Sequence, residues 1–121
     1  MSSVVSQAPR LTVSTAEKIA EEKYGICGEF RRLPSERDQN FHIRSKDKHE
    51  YVLKIANQTE EKEALDFQNQ AMIHVHHQKE LFTDTLSVCP EVYATRKKEL
   101  IDVVVSPEGN RHFIRMLSYL P

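Results

Sequence analysis

The run Tyr51-Val-Leu-Lys-Ile-Ala56 constrains this chain more than any other stretch, because strand-forming residues there enclose a single lysine. Alternate side chains of a strand point to opposite faces, so Val52, Lys54 and Ala56 share one face and Tyr51, Leu53 and Ile55 the other. Both faces read as buried, and a buried ammonium is expensive. Either Lys54 snorkels out at an edge, or its head meets an acidic side chain or an anionic ligand in a cleft.

The segments around this run supply a setting for it. Ser14-Thr-Ala-Glu17 has capping-box spacing, and Ala16, Ile19, Ala20 and Tyr24 follow at helical intervals up to Gly25, so a short helix is expected from about Thr15 to Tyr24. Ile26 to Leu33 reads as a first strand, with Ile26, Gly28, Phe30 and Arg32 on one side. Pro34 to Gln39 is a polar loop. Phe41 to Ser45 is a half-buried strand by period, with Phe41 and Ile43 inward and His42 and Arg44 pointing away, and Lys46 to His49 turns the chain into the lysine strand.

Asn57-Gln-Thr59 is placed to cap a long helix running to about His77, with Glu60, Glu61 and Glu63 at the end where acidic residues are favoured. Ala64, Gln68, Ala71, Met72 and Val75 form its expected inward stripe, in which Gln68 is either a locally bonded core-edge side chain or a partner facing Lys54. Lys79 to Thr85 is a polar connector anchored by Leu81 and Phe82. Val88 to Val92 is proline-bounded and at most an edge segment. Leu100 to Val105 and Phe113 to Leu120 read as two strands joined by the turn-rich Ser106-Pro-Glu-Gly-Asn110, where Gly109 is available for positive φ. The expected fold is α+β: a five-stranded antiparallel sheet, one long helix between strands 3 and 4, and a short N-terminal helix.

The 121 residues amount to one domain, with 39% hydrophobic and 29% charged residues and a net charge of -1. No overall basic field recommends a nucleic acid or an acidic membrane surface, and Arg31-Arg32 and Arg96-Lys97-Lys98 read as solvated faces. No run approaches a transmembrane length, and residues 1–10 read as a disordered tail and not a signal peptide, leaving 11–121 as the folded part. Cys27 and Cys89 have no metal spacing and read as reduced packing cysteines of a cytoplasmic protein, with a disulfide between them left open.

Three segments, Leu33-Pro-Ser-Glu-Arg-Asp-Gln-Asn-Phe-His42, Tyr51-Val-Leu-Lys-Ile-Ala-Asn57 and Arg115-Met-Leu-Ser-Tyr-Leu-Pro121, give the chain after Leu11 a likeness. It resembles the N-terminal lobe of the aminoglycoside phosphotransferase and choline kinase superfamily of protein-kinase-like small-molecule kinases. The match is closest to the hydroxylysine kinase branch and to the kinase-like domain fused to class III aminotransferases, and the Ser-Glu-Arg-Asp form of the loop leans towards the fused version.

The resemblance implies a protein-kinase-like small lobe and a set of roles. Lys54 takes the place of the strand lysine that reaches nucleotide phosphates, and Val52 belongs to the adenine roof. Ser35 to Asn40 takes the place of the phosphate-covering loop. It holds no glycine, so Ser35, Arg37, Gln39 and Asn40 would contribute side-chain donors. Gln68 falls where many such kinases place a glutamate that pairs with the lysine, and an amide can only accept a hydrogen bond from Lys54. Tyr119 and Leu120 match the purine-binding hinge. The cofactor implied is ATP or GTP with magnesium, whose metal ligands and catalytic Asp belong to the large lobe. The chain stops at Pro121 with no His-x-Asp-type loop, so a lone small lobe is expected to be inactive and to self-associate through its exposed lobe interface.

Other chemistry has less behind it. His74 and His77 lie three apart on a helix, but no Cys or carboxylate joins them at ligand spacing, and a solvated helix end accounts for them. Neither cysteine sits in a nucleophile signature, and Asp38 and Asp102 have no catalytic context. Two functions remain. One is the nucleotide-binding half of a kinase that phosphorylates an amino-alcohol hydroxyl such as that of hydroxylysine. The other is a non-catalytic binding or accessory module, for example of an aminotransferase whose pyridoxal phosphate belongs to the fused partner.

Overall fold

The computed structural model describes residues 9–78 and 89–120. Most of the expected tail, and the connector Lys79 to Thr85 with its Leu81 and Phe82 anchors, lie outside the described residues.

Helix α1 spans Val13–Ile19 and continues as a π-helical turn over Ala20–Tyr24. Its cap is Thr12, whose extended backbone (φ -79°, ψ 162°) lets the hydroxyl accept from the Thr15 amide at 3.1 Å. The helix therefore starts two residues before the expected Thr15, and Ser14 lies inside it. The stop falls at Gly25 as expected, at φ 71°, where a Cβ would also come within 2.8 Å of the Arg96 guanidinium.

The strands are β1 Gly28–Leu33, β2 Gln39–Ser45, β3 Glu50–Ile55, β4 Val92–Tyr93, β5 Asp102–Val105 and β6 Arg111–Ser118. All pairings are antiparallel, in the order β1-β2-β3-β6-β4, with β5 pairing β6 beyond the end of β4. The sheet thus has six strands among the described residues and not five. The extra one is the proline-bounded edge segment, whose Val92 and Tyr93 pair Leu117 and Met116. The β5–β6 hairpin closes through Ser106 and Asn110 with Gly109 at φ 89°. β5 ends at Val105 as expected but starts two residues later than the apolar run, and β6 lies two residues earlier than expected, because the pairing register sets their ends.

Alternation divides the sheet into two faces. On one, Phe41, Ile43, Leu53, Ile55, Ile114 and Met116 are fully enclosed beneath Leu11, Ala16, Ile19 and Ala20, which makes the main core. On the other, helix α2 (Lys62–His77) packs Leu65 against Ala56, Ile101 and Phe113. β3 lies between β2 and β6, so Lys54 is on a central strand and has no sheet edge to snorkel from.

Helix α2 departs from expectation at both its start and its inward face. Asn57 does not cap it. Its Oδ1 instead accepts from the Thr59 amide and hydroxyl at 2.9 and 2.8 Å, making a turn before an N-cap at Glu61 that has no side-chain cap bond. Leu65 and Asn69 are the buried residues, with Met72, Ile73, Val75 and His76 half-buried, so Met72 and Val75 of the expected stripe stay inward, whereas Ala64, Gln68 and Ala71 are exposed. The inward row is one residue further along than expected, a rotation of about 100°. Leu65 fills the space over Ala56 and Phe113 better than an alanine at 64 would, and Asn69 finds a partner on the sheet. Among the described residues no helix is long and apolar enough to cross a membrane.

Candidate functional site

Cross-strand register places two rows of side chains on the α2 face of the sheet. One row is Leu33, Asn40, Lys54 and Arg115; the next is Arg31, His42, Val52, Leu117 and Val92. Lys54 and Arg115 are direct cross-strand neighbours, where like charges repel. Arg115 is only 6% exposed, and Lys54 is half-buried. Among the described residues neither joins a salt bridge. Arg115 donates from Nη1 to Asn69 Oδ1 at 3.0 Å, and the Lys54 side chain makes no hydrogen bond among the described residues. Burial holds the Lys54 ammonium below its usual pKa, the neighbouring Arg115 adds to that, and Asp38 opposes it. Burial likewise lowers Arg115, against the pull of Asp38, Glu60 and Tyr24.

Two polar atoms at this place are buried without a partner, Asn40 Oδ1 in the row and Asn69 Nδ2 on α2 above it. An unmet polar atom in a dry site is costly, and here two lie with two cations on one patch of sheet and helix. The patch is net positive, and its two unmet polar atoms differ in kind: Asn69 Nδ2 can only donate, whereas Asn40 Oδ1 can only accept.

The loop between β1 and β2 reaches over the same end of the sheet. Asp38 donates its amide to Ser35 Oγ at 3.2 Å, and the Asp38 carboxylate accepts from the Asn57 amide at 2.9 Å. Asn57 Nδ2 donates to the Arg37 carbonyl at 3.1 Å, and Arg37 approaches Glu60 at 3.8 Å. The loop is thereby moored to the joint between β3 and α2.

Further along the face, His42 is buried, in contrast to the outward position that alternation suggests for it. Arg31 Nη2, which can only donate, lies 3.3 Å from His42 Nδ1, so that nitrogen accepts and Nε2–H donates to Glu50 Oε1 at 2.8 Å. The Tyr119 ring lies over the imidazole with centroids 4.1 Å apart. This stack, together with the two polar partners, is what buries a histidine on the polar side of β2.

The sequence-predicted site residues divide accordingly. Asn40, Val52 and Lys54 share the face and stand together. Ser35 and Arg37 are exposed in the moored loop. Gln39 is not available as a phosphate donor: it lies on the core face opposite Ile55, where Nε2 donates to the Leu11 carbonyl and Oε1 accepts from the Leu11 amide, both at 2.7 Å. Gln68 is exposed and makes no hydrogen bond to Lys54. The inward amide is Asn69, and it bonds Arg115. Tyr119 and Leu120 follow β6, half-buried, and the Tyr119 amide already donates to the Glu50 carbonyl at 3.2 Å.

Arg115, Asn69 and His42 escaped the sequence reading as site residues. The available signal was the even spacing of Arg115 within an apolar strand, the same anomaly that marks Lys54. His76 is also tied in, donating from Nε2 to the Cys89 and Pro90 carbonyls at 3.0 and 3.2 Å, so it locks the end of α2 and is not a solvated histidine. Asp102 pairs with Lys23 at 3.0 Å. Cys27 is exposed and Cys89 half-buried, both as free thiols, so Cys27 does not pack as expected. No group of His, Cys, Asp or Glu among the described residues is placed to hold a metal ion. No family model and no curated protein matches this chain.

Proposed function

We propose that this chain is the nucleotide-binding small lobe of a protein-kinase-like small-molecule phosphotransferase of the aminoglycoside phosphotransferase and hydroxylysine kinase type. The observation that carries the reading is Lys54: a half-buried ammonium with no carboxylate within salt-bridge reach among the described residues, on the central strand that leads directly into the long helix. A lysine on the third strand followed by a helix is the arrangement that holds nucleotide phosphates in protein kinases. Val52 and Leu117, paired across β3 and β6, would give apolar contact to a base, and the β1–β2 loop would cover the phosphates. ATP or GTP would bring magnesium, held by residues of a second lobe, which would also supply the catalytic Asp; this chain alone would bind without turnover.

A second reading, a non-catalytic binding or accessory module such as one fused to an aminotransferase, draws on Gln39 and the Tyr119 amide being already committed within the fold. Titration with ATP or GTP and magnesium, followed by amide NMR, separates the two. The kinase reading expects saturable shifts at Asn40, Val52, Lys54 and Tyr119 that vanish in Lys54→Ala. An unchanged spectrum at millimolar nucleotide moves the chain to the second reading.

A further inference from the structure

β1 is an edge of the sheet, and among the described residues no strand pairs with its outer side. The opposite edge is broken between β4 and β5, of two and four residues, whereas β1 runs six residues in unbroken register with β2. Edge strands are commonly blunted by a proline, a bulge or a lysine, and Gly28 to Leu33 has none of these. The ladder tells which backbone groups face outward. The Lys46 amide donates to the Cys27 carbonyl at 3.2 Å, which makes Cys27 and Lys46 a hydrogen-bonded pair. Such pairs alternate along an antiparallel ladder, so Glu29, Arg31 and Leu33 bond to β2, and Gly28, Phe30 and Arg32 turn their N–H and C=O groups outward.

We propose that two copies of this chain pair through β1, antiparallel about a two-fold axis at Phe30, so that the sheet continues from one molecule into the other. The charges on the edge select this register. A two-fold axis normal to the sheet sets one residue opposite itself. Centring it on Glu29, Arg31 or Arg32 puts like charges face to face, and centring it on Gly28 or Leu33 leaves Arg31 without an acid. Centred on Phe30, Glu29 lies opposite the second copy's Arg31 and Arg31 opposite its Glu29, on one face of the joined sheet. Both residues are exposed, and neither joins an ion pair within the chain among the described residues. Arg31 gives Nη2 to His42 and keeps its other donors free for a carboxylate. The same register joins the outward groups of Gly28, Phe30 and Arg32 to those of Arg32, Phe30 and Gly28, about six backbone hydrogen bonds. On the other face the half-buried Phe30, which packs against the main core, meets its own copy. The pairing rests on neither functional reading, and it uses a different surface from a lobe interface.

Sedimentation equilibrium of the full chain at low ionic strength tests this. A dimer should form as the concentration rises to about 1 mM, with a dissociation constant that increases with salt. Glu29→Arg and Arg31→Glu should each weaken it about tenfold or more, because both cross-strand pairs then carry like charges. Mixed in equal amounts, the two variants regain opposite charges at both pairs, and a heterodimer about as tight as the wild-type dimer should appear. Both positions are exposed, and the melting of each variant alone separates lost pairing from lost folding. Amide exchange supplies a readout that needs no variant. The Gly28, Phe30 and Arg32 amides should slow as the concentration rises, while those of Glu29, Arg31 and Leu33, already bonded to β2, should not change. A wild-type chain that stays monomeric at the highest concentration would overturn the proposal, as would a dimer indifferent to both reversals or a mixture that stays monomeric. Amides at 28, 30 and 32 that are slow at every concentration would overturn it too, since the edge would then be covered by the chain itself.

Discussion

Replacing Lys54 by methionine should make the fold more stable. Methionine keeps most of the aliphatic stem on the sheet and removes the ammonium from beside Arg115. Two effects set the magnitude. Withdrawing an unpartnered polar head from water costs about 1–3 kcal/mol in protein mutational series. Repulsion from the neighbouring Arg115 adds to that cost, and solvent screens it at a half-buried head. A net gain of about 1–3 kcal/mol follows, or about 3–6 °C in melting temperature for each kcal/mol in a chain of this size. The pH dependence fixes the cause. Lys54 in the fold lies below the 10.5 of a free lysine, so its penalty is complete below the folded value and fades as pH climbs from there to 10.5. The hydroxyl of Tyr24, which burial holds above its usual value, titrates in both proteins and cancels in the difference. Urea unfolding followed by circular dichroism, from neutral to alkaline pH, provides the assay. A methionine variant no more stable than wild type at pH 7, or an advantage that stays constant towards pH 10, would refute the reasoning.

Two more outcomes can be checked on the same material. Gly28→Ala would drive a Cβ into the Arg44 carbonyl oxygen, so the β1–β2 hairpin must part at that end; a loss of about 1–3 kcal/mol with faster amide exchange at 28 and 45 is expected, and wild-type stability would contradict the pairing of Gly28 with Ser45. Nitrogen-15 spectra of the His42 ring should show the tautomer with its proton on Nε2, and a tautomer protonated on Nδ1 would mean that Arg31 does not face it.

Much of the fold was legible because period-2 alternation is strong in Phe41 to Ile43 and Leu53 to Ile55, whose side chains are fully enclosed. The Gly25 stop was legible for a similar reason, since left-handed backbone favours glycine. Helix α2 was harder. Its residues are polar nearly all round, and the 64-68-71-72-75 and 65-69-72-73-76 rows differ by one step, which only the sheet beneath can choose. Gln39 read as a donor because its neighbours did, yet a strand residue one place from Asn40 must face the other way. Arg115 stayed hidden because its partner, Asn69, is forty-six residues distant, and no local pattern announces such a bond.

The moorings of the β1–β2 loop bear on how fast a ligand can enter. A glycine-rich cover samples many shapes and must be brought to order at every encounter, which slows capture and weakens it. Here Asn57 grips the loop at both Asp38 and the Arg37 carbonyl, so the ordering is completed when the chain folds. If this face takes the proposed ligand, its rim is in place before the ligand arrives. Because the grip comes from a residue between β3 and α2, the loop, the end of the strand and the approach to the helix form one hydrogen-bonded corner.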